Sequence, residues 1–464
     1  MTKTKKIISA AVIAAGLCYF GTVVYVWHFD SQRSEASPQR GLTPENAKIL
    51  KMLNQKGCDY CHTPSAALPF YASLPVAKQL MDYDIRTGTK IFDLQPIRES
   101  LLEGSVAPEA DLAKVEWVMQ HNAMPPTRYT ALHWAGKLSQ AERNDVLDWV
   151  KQQRQRYYSS PGAAVKWQDE PVQILPHSLP VDGNKVALGT RLFHDPRLSG
   201  DGTVSCASCH ALGSGGVDGL KTSTGIKGQK GPINAPTVFN AVFNHQQFWD
   251  GRASDLQAQA GGPPLNPKEM GASSWNEIII KLNQDAGLKA KFLDTYPQGF
   301  TAATITDAIS EFEKTLLTPD SPFDRYLRGD DEAITVQQAR GYQLFKEHKC
   351  ATCHMGKTLG GQSYEPLGLR KDYFTTDFND ADIGRLNVTK NDRDRFRQKV
   401  PTLRNITLTA PYFHRGDVAT RDEAVKQMMI YQVGEKPSQP DVDDIVAFLG
   451  SLQGHYQPYN LFGK

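Results

Sequence analysis

The sequence predicts a mainly helical protein: one membrane-crossing helix followed by three helical segments with long loops. Three observations carry this reading. The chain opens on an uncharged apolar run, later apolar residues recur at spacings of three and four, and three short cysteine motifs fall one to a segment. With 464 residues, 40% of them hydrophobic and 22% charged, the composition is globular, with room for two or three modest cores. That excludes a disordered or fibrous chain. A net charge of +2, without a Lys/Arg patch interleaved with aromatics, gives no reason to expect a nucleic-acid partner.

The first element is the apolar run Ile7 to Trp27, preceded by Lys3, Lys5 and Lys6 and closed by Tyr25, Trp27 and Phe29. Its length suits one bilayer crossing. Basic residues on the short side and an aromatic belt on the other place residues 1–6 in the cytoplasm and everything after Asp30 outside. The run is longer than a usual signal-peptide core and no small-x-small cleavage site follows, so an uncleaved anchor is expected over 7–29. Cys18, preceded by Leu17, fits a lipoprotein cleavage site poorly. The expected location is a bacterial inner membrane, single-pass, with the bulk of the chain in the periplasm.

Residues 30–44 are polar and read as a tether, and the proline-rich stretch 159–180 reads as a linker. A third break falls around Thr318 to Glu332, after a helix expected from Ile305 to Leu317. These breaks bound segments 45–158, 181–325 and 326–464. Helical periodicity is plainest over Ser139 to Arg154, Ser274 to Leu282, Val336 to Phe345 and Asp441 to Leu452. Ser139 with Glu142, and Ser274 with Glu277, stand at capping-box spacing.

Six of the seven cysteines form Cys58-Asp-Tyr-Cys61-His62, Cys206-Ala-Ser-Cys209-His210 and Cys350-Ala-Thr-Cys353-His354. This is the c-type haem attachment pattern three times over. Two thiols one helical turn apart reach the two vinyl groups of one porphyrin, and the adjacent His ligates the iron. Zinc knuckles or redox dithiols do not explain a His after every pair. The fold class becomes an N-terminal transmembrane helix followed by three cytochrome c-like helical haem domains, with three covalently bound c-type haems. Such attachment belongs to the oxidising side of a bacterial membrane.

Sixth ligands decide what each iron does. Met124, between Ala123 and Pro125-Pro126, is expected on the first haem, with His121 and His133 as rivals. Met/His ligation closes an iron to substrates, leaving electron transfer. The second and third segments read as diverged copies: Pro236-Thr237-Val238-Phe239-Asn240 corresponds to Pro401-Thr402-Leu403-Arg404-Asn405, with Gly251 and Gly416 eleven residues after each Asn. Met428 is the expected axial ligand in the third segment, with Met429 the neighbouring alternative. The second segment instead offers Gln259 and Glu269 among Gly, Pro and Asn. A Glu beside an open iron can take a proton from the near oxygen of bound peroxide and return it to the far one. The Gln259 amide could hold the peroxide as charge develops.

From about Lys185 to Gly454 the chain resembles the bacterial di-haem cytochrome c peroxidases. The resemblance is carried by Leu192-Phe193-His194-Asp195-Pro196-Arg197-Leu198-Ser199, Gly231-Pro232-Ile233-Asn234-Ala235-Pro236-Thr237, Phe248-Trp249-Asp250-Gly251-Arg252-Ala253, Asn266-Pro267-Lys268-Glu269-Met270 and Leu408-Thr409-Ala410-Pro411-Tyr412-Phe413-His414. With the anchor and the extra haem segment, the layout looks like the tri-haem quinol peroxidases of Gram-negative bacteria. The resemblance implies a peroxidatic haem domain over 181–325, with Glu269 and Gln259 as distal pair, and an electron-transferring haem domain over 326–464, with Met428. It places Trp249 between those two haems, and makes Asn234, Thr409 and Pro411 ligands of an inter-domain calcium, the last two through backbone carbonyls. Many members carry a His sixteen residues after the haem-binding His, blocking the peroxidatic iron until the other haem is reduced. Ile226 stands there, so an open iron needing no reductive activation is expected, with His245 and Met270 as the conceivable substitute ligands.

The expected reaction is reduction of hydrogen peroxide, with membrane quinol as donor and a soluble cytochrome c as runner-up. A pure electron conduit needs a sixth ligand on the iron at His210. A tryptophan-oxidising di-haem enzyme would, by resemblance, have a Tyr where Met428 stands.

Overall fold

A computed structural model describes residues 3–33 and 42–459. Most of the expected tether, and the first two residues of the expected cytoplasmic tail, lie outside the described residues. The chain divides into two compact units, residues 1–159 and 160–464.

The first unit begins with the helix Lys3–Gln32. Its amino-terminal part is exposed, whereas Val23, Val26 and Asp30 are buried, a spacing of three and four that turns one face toward the rest of the unit. The helix continues beyond the expected boundary at residue 29. Helices Pro44–Gln55, Gln95–Glu103, Glu109–Gln120 and Gln140–Tyr157 surround a core that includes Ile49, Leu101, Leu112, Trp149 and Val150. Ser139 caps the last of these with a complete capping box to Glu142. Arg154 is buried and bonded to Glu109 at 2.8 Å and Glu116 at 2.6 Å, so its charge is paired where water cannot reach it.

The second unit contains the repeat. Helix Gly183–Phe193 packs on Ala302–Glu313, and Val336–Glu347 packs on Gln439–Gly450. Each crossing is made at a glycine: a Cβ on Gly189 would lie 1.9 Å from the Ala308 carbonyl oxygen, and one on Gly341 would lie 1.9 Å from that of Asp444. Ser274 caps Trp275–Asn283 through the Glu277 amide, but the Glu277 carboxylate bonds Ser273, leaving the expected capping box half made. Only one sheet forms among the described residues, Tyr364–Pro366 antiparallel to Arg397–Lys399.

Two expected breaks are packed rather than slack. In the stretch expected as a linker, Val172 and Ile174 join the core of the third segment, the Gln173 amide donates to the Gly356 carbonyl, and the Gly356 amide donates to the Pro171 carbonyl. The reason is apolar side chains between the prolines. Around 318–332, Thr318, Ser321 and Asp324 are fully buried, and helix Pro322–Leu327 runs through the expected 325/326 boundary.

Candidate functional site: three attachment motifs and a glutamate loop

Each motif forms a single turn, Asp59–His62, Cys206–Cys209 and Cys350–Thr352, which brings its two thiols to one side. In all three the following His is held alike. Nδ1 of His62 faces the Phe92 carbonyl at 3.0 Å, that of His210 the Gly216 carbonyl at 3.4 Å, and that of His354 the Leu359 carbonyl at 2.9 Å. A carbonyl on Nδ1 fixes the tautomer and leaves Nε2 for an iron, so these residues fit c-type haem. Burial pushes all three imidazoles below their ordinary range, favouring the neutral, ligating form. It also pushes the thiols of Cys58, Cys206 and Cys350 up to about 12.

In the first unit Met124 is half-buried. Its rivals are otherwise engaged. His121 is exposed, stacked on Trp117 at 4.2 Å and bonded to the Trp117 carbonyl at 2.8 Å. His133 is buried, with Nδ1 on Asp30 at 2.8 Å and Nε2 on the Tyr71 hydroxyl at 2.6 Å. In the third segment Met428 and Met429 open a π-helical turn, Met428–Val433, a geometry that often marks functional sites. Met429 is 2% exposed within the apolar core, whereas Met428 is half-buried, which separates the two neighbours.

The second segment holds Glu269 in a tight loop. Asn266 Nδ2 donates to Glu269 Oε1 at 2.8 Å, and the Glu269 amide donates to the Asn266 carbonyl at 3.0 Å. Burial raises the Glu269 pKa, opposed by the Arg252 guanidinium and by Asn266. Arg252 Nη1 donates to both carboxylate oxygens of Asp250, and the guanidinium lies 3.5 Å over the Phe248 ring. The Ile226 amide donates to the Glu269 carbonyl at 2.8 Å, and its side chain packs on Gly271. Gly225 cannot carry a side chain there, since a Cβ would lie 2.2 Å from the Lys268 carbonyl. Gln259 is half-buried on the short helix Leu256–Ala260. Met270 is packed into the segment's core, and His245 is exposed.

Trp249 lies where the two halves of the second unit meet. Its indole N–H donates to the Asn234 carbonyl at 2.9 Å, and its ring stands 6.1 Å from that of His414. His414 is bonded to buried Asp382 at 2.6 Å, and Arg415 pairs with the same carboxylate. The Asn234 amide donates to the His414 carbonyl at 2.8 Å, bringing Asn234 to the segment that carries Thr409 and Pro411. Asn234 Nδ2 meanwhile donates to the Leu220 carbonyl at 2.9 Å, which turns the side chain's oxygen the other way.

Arg252, Lys399, Asp382 and His414 had no assigned role in the sequence reading. The internal repeat held the signal for two of them, because His414 is the counterpart of Trp249 and Lys399 that of Asn234. Lys399 is buried, and its amine is lowered to about 8 by desolvation, partly opposed by Asp250.

A helix-pair fold made twice in one unit, with a haem-attachment motif in each half and another in the first unit, defines a c-type cytochrome. Comparison with known proteins places it further. Residues 183–332 match the di-haem cytochrome c peroxidase model, 338–453 the cytochrome c model and 18–152 a haem-binding domain model. The chain is 60% identical over 460 residues to cytochrome c peroxidase Ccp of Escherichia coli (strain K12), covering 99% of both. It is 45% identical over 304 residues to cytochrome c551 peroxidase of Nitrosomonas europaea, covering 64% of this chain and 89% of that one. A solved MauG-like protein associated with microbial copper homeostasis superposes with a TM-score of 0.54 at 29% identity, covering 63% of this chain and 95% of that one. The chain belongs to the di-haem cytochrome c peroxidase family and carries an additional N-terminal haem-binding domain. It is a haem peroxidase, an oxidoreductase of the cytochrome c peroxidase type.

Proposed function

We propose that this peroxidase carries three c-type haems and reduces hydrogen peroxide at the one attached through Cys206 and Cys209. Haem iron supplies the redox chemistry and the position at which peroxide binds. The observation that carries the reading is Ile226, whose hydrocarbon side chain cannot ligate iron and whose amide is bonded to the Glu269 carbonyl of the acid–base loop. Glu269 takes a proton from one peroxide oxygen and delivers it to the other; Asn266 fixes its carboxyl, and partial burial keeps its pKa high enough to return the proton. Gln259 orients the peroxide.

Met124 and Met428 complete the two electron-carrying haems, and Trp249 with His414 bridges the halves of the second unit. Calcium at Asn234 and the carbonyls of Thr409 and Pro411 stiffens that junction; backbone contact between Asn234 and His414 supports it. Electrons come from membrane quinol, because the N-terminal helix is long and apolar enough to hold the first haem domain at an inner membrane, facing the periplasm. The names of the relatives favour a soluble cytochrome c as the alternative donor. The test is peroxide turnover of the full-length holoprotein with a reduced quinol analogue and with reduced cytochrome c, before and after Glu269→Gln. Retention of turnover in that variant would remove the proposed acid–base role.

A further inference from the structure

The first unit contains a buried proton-bonding chain that haem ligation does not use. The Tyr71 hydroxyl meets His133 Nε2 at 2.6 Å, His133 Nδ1 meets Asp30 Oδ2 at 2.8 Å, and the Tyr60 hydroxyl donates to Asp30 Oδ1 at 2.5 Å. Tyr60 lies inside the Cys58–His62 motif, and its ring is 5.5 Å from that of His133. Tyr129 stacks on His133 at 4.0 Å, and Arg33 lies over Tyr60 while pairing with Asp59. All four members are buried, with Tyr71 8%, His133 4%, Asp30 5% and Tyr60 0% exposed.

Its Tyr71 end lies beside exposed aromatic rings. Phe70 and Trp134, the sequence neighbours of Tyr71 and His133, are 51% and 56% exposed, and they pack on Tyr25 and on Tyr19 and Phe20 of the N-terminal helix. The exposed stretch Ile7 to Phe20 is about 21 Å long at 1.5 Å per residue, whereas a bilayer core is about 30 Å thick. If the helix spans a bilayer, the remaining depth falls on the part of the helix against which Trp134 and Phe70 pack, which would put those rings at the outer leaflet.

We propose that Tyr71, His133 and Asp30 form the proton acceptor of a quinol-oxidising site at the foot of the N-terminal helix. The inference rests on the quinol reading above and gives it a place. A one-electron protein donor has no proton to shed, whereas a lipid-borne dihydroxy aromatic loses two protons and two electrons as it becomes the quinone. One quinol hydroxyl gives its proton to the Tyr71 oxygen as the Tyr71 proton moves to His133 Nε2, where Asp30 balances the imidazolium; His133 then releases that proton to solvent, and the second quinol hydroxyl gives up its proton by the same route. The two electrons leave singly toward the haem at Cys58 and Cys61, and the same number of electrons and protons turn one peroxide into two waters.

The experiment uses full-length holoprotein in nanodiscs, with Tyr71→Phe, His133→Gln and Asp30→Asn. Peroxide turnover is measured with decylubiquinol and with ascorbate-reduced tetramethylphenylenediamine, and decylubiquinone binding is measured at equilibrium. The expected result is a ratio of quinol to phenylenediamine turnover lowered at least about tenfold, with weaker decylubiquinone binding in Tyr71→Phe. Equal losses with both donors would mark the chain as a clamp on the helix and overturn the proposal. Wild-type turnover of decylubiquinol with an unchanged ratio in the variants would overturn it alone; no wild-type turnover would overturn it together with the quinol reading. Tyr71→Phe removes one oxygen and keeps the ring, so it decides the case if the His133 variant loses haem.

Discussion

Trp249 and His414 face each other at 6.1 Å with their rings inclined by 64°, and each stands nine residues after the Asn of its own repeat. The contacts around them are reciprocal. The Asn234 amide bonds the His414 carbonyl at 2.8 Å, and its counterpart, the Lys399 amide, bonds the Trp249 carbonyl at 2.7 Å. Phe248 and Phe413, one residue earlier in each copy, share positive φ values of 67° and 66°. Two diverged copies thus meet at equivalent points, with the electron-rich indole on one side and an Asp-bonded imidazole on the other.

Trp249→Phe keeps the ring packing and removes the N–H bond to Asn234. Intramolecular electron transfer after peroxide addition, followed by stopped-flow absorbance, is expected to slow by roughly tenfold for each 1.4 kcal/mol lost. Peroxide binding is expected to stay at the wild-type level.

Glu269→Gln is expected to lower peroxide turnover by about 10²–10⁴-fold with haem content unchanged. Because burial raises the Glu269 pKa, the charged form needed to accept a proton is lost as pH falls through that raised value, so wild-type kcat/KM should drop on the acid side. Arg252 opposes the rise, so Arg252→Gln should move that acid limb to higher pH. A pH profile of kcat/KM for both proteins checks the sign.

An open peroxidatic iron should be visible before any reductant is added. The oxidised holoprotein is expected to show a high-spin ferric component and to react with peroxide without a lag, because Ile226 is buried and bonded to the Glu269 loop. Low-spin signals from every haem in electron paramagnetic resonance would contradict this.

Met428 and Met429 should part company on substitution. Met428→Ala is expected to change the spectrum and lower the potential of the haem at His354. Met429→Ala should leave both unchanged and cost about 2–5 kcal/mol of stability, because that side chain fills the core. Spectra and thermal melts of the two variants distinguish the roles.

Arg404 is fully buried with Asp324, at 2.8 Å, and also donates to the carbonyls of Gln173 and Lys357. Arg404→Leu leaves the Asp324 carboxylate buried without its partner, a change worth about 3–5 kcal/mol. A lower melting temperature of the second unit is the expected readout.

The Cys-x-x-Cys-His runs were legible in the sequence because covalent haem attachment would demand a contiguous motif. A Cys-x-x-Cys-His run states its own geometry, and the structure adds only the carbonyl on each Nδ1. Helices were legible for the same local reason: Ser139 and Glu142 sit one turn apart and close a capping box wherever the segment folds. The Pro-Thr repeat was visible too, but not the pair of glycines, Gly189 and Gly341, that let its helices cross, since close approach depends on a partner far along the chain.

Local sequence therefore determined where thiols, imidazoles and helix ends would be, since bonds over a few residues are settled by covalent spacing. Tertiary structure decided which groups met: that Val172 and Ile174 join a core, that Met429 is buried and Met428 half-buried beside it, that His133 is engaged by Asp30, and that Trp249 faces His414. Burial and long-range contact depend on the whole packed chain, and a residue's neighbours along the sequence do not carry that information.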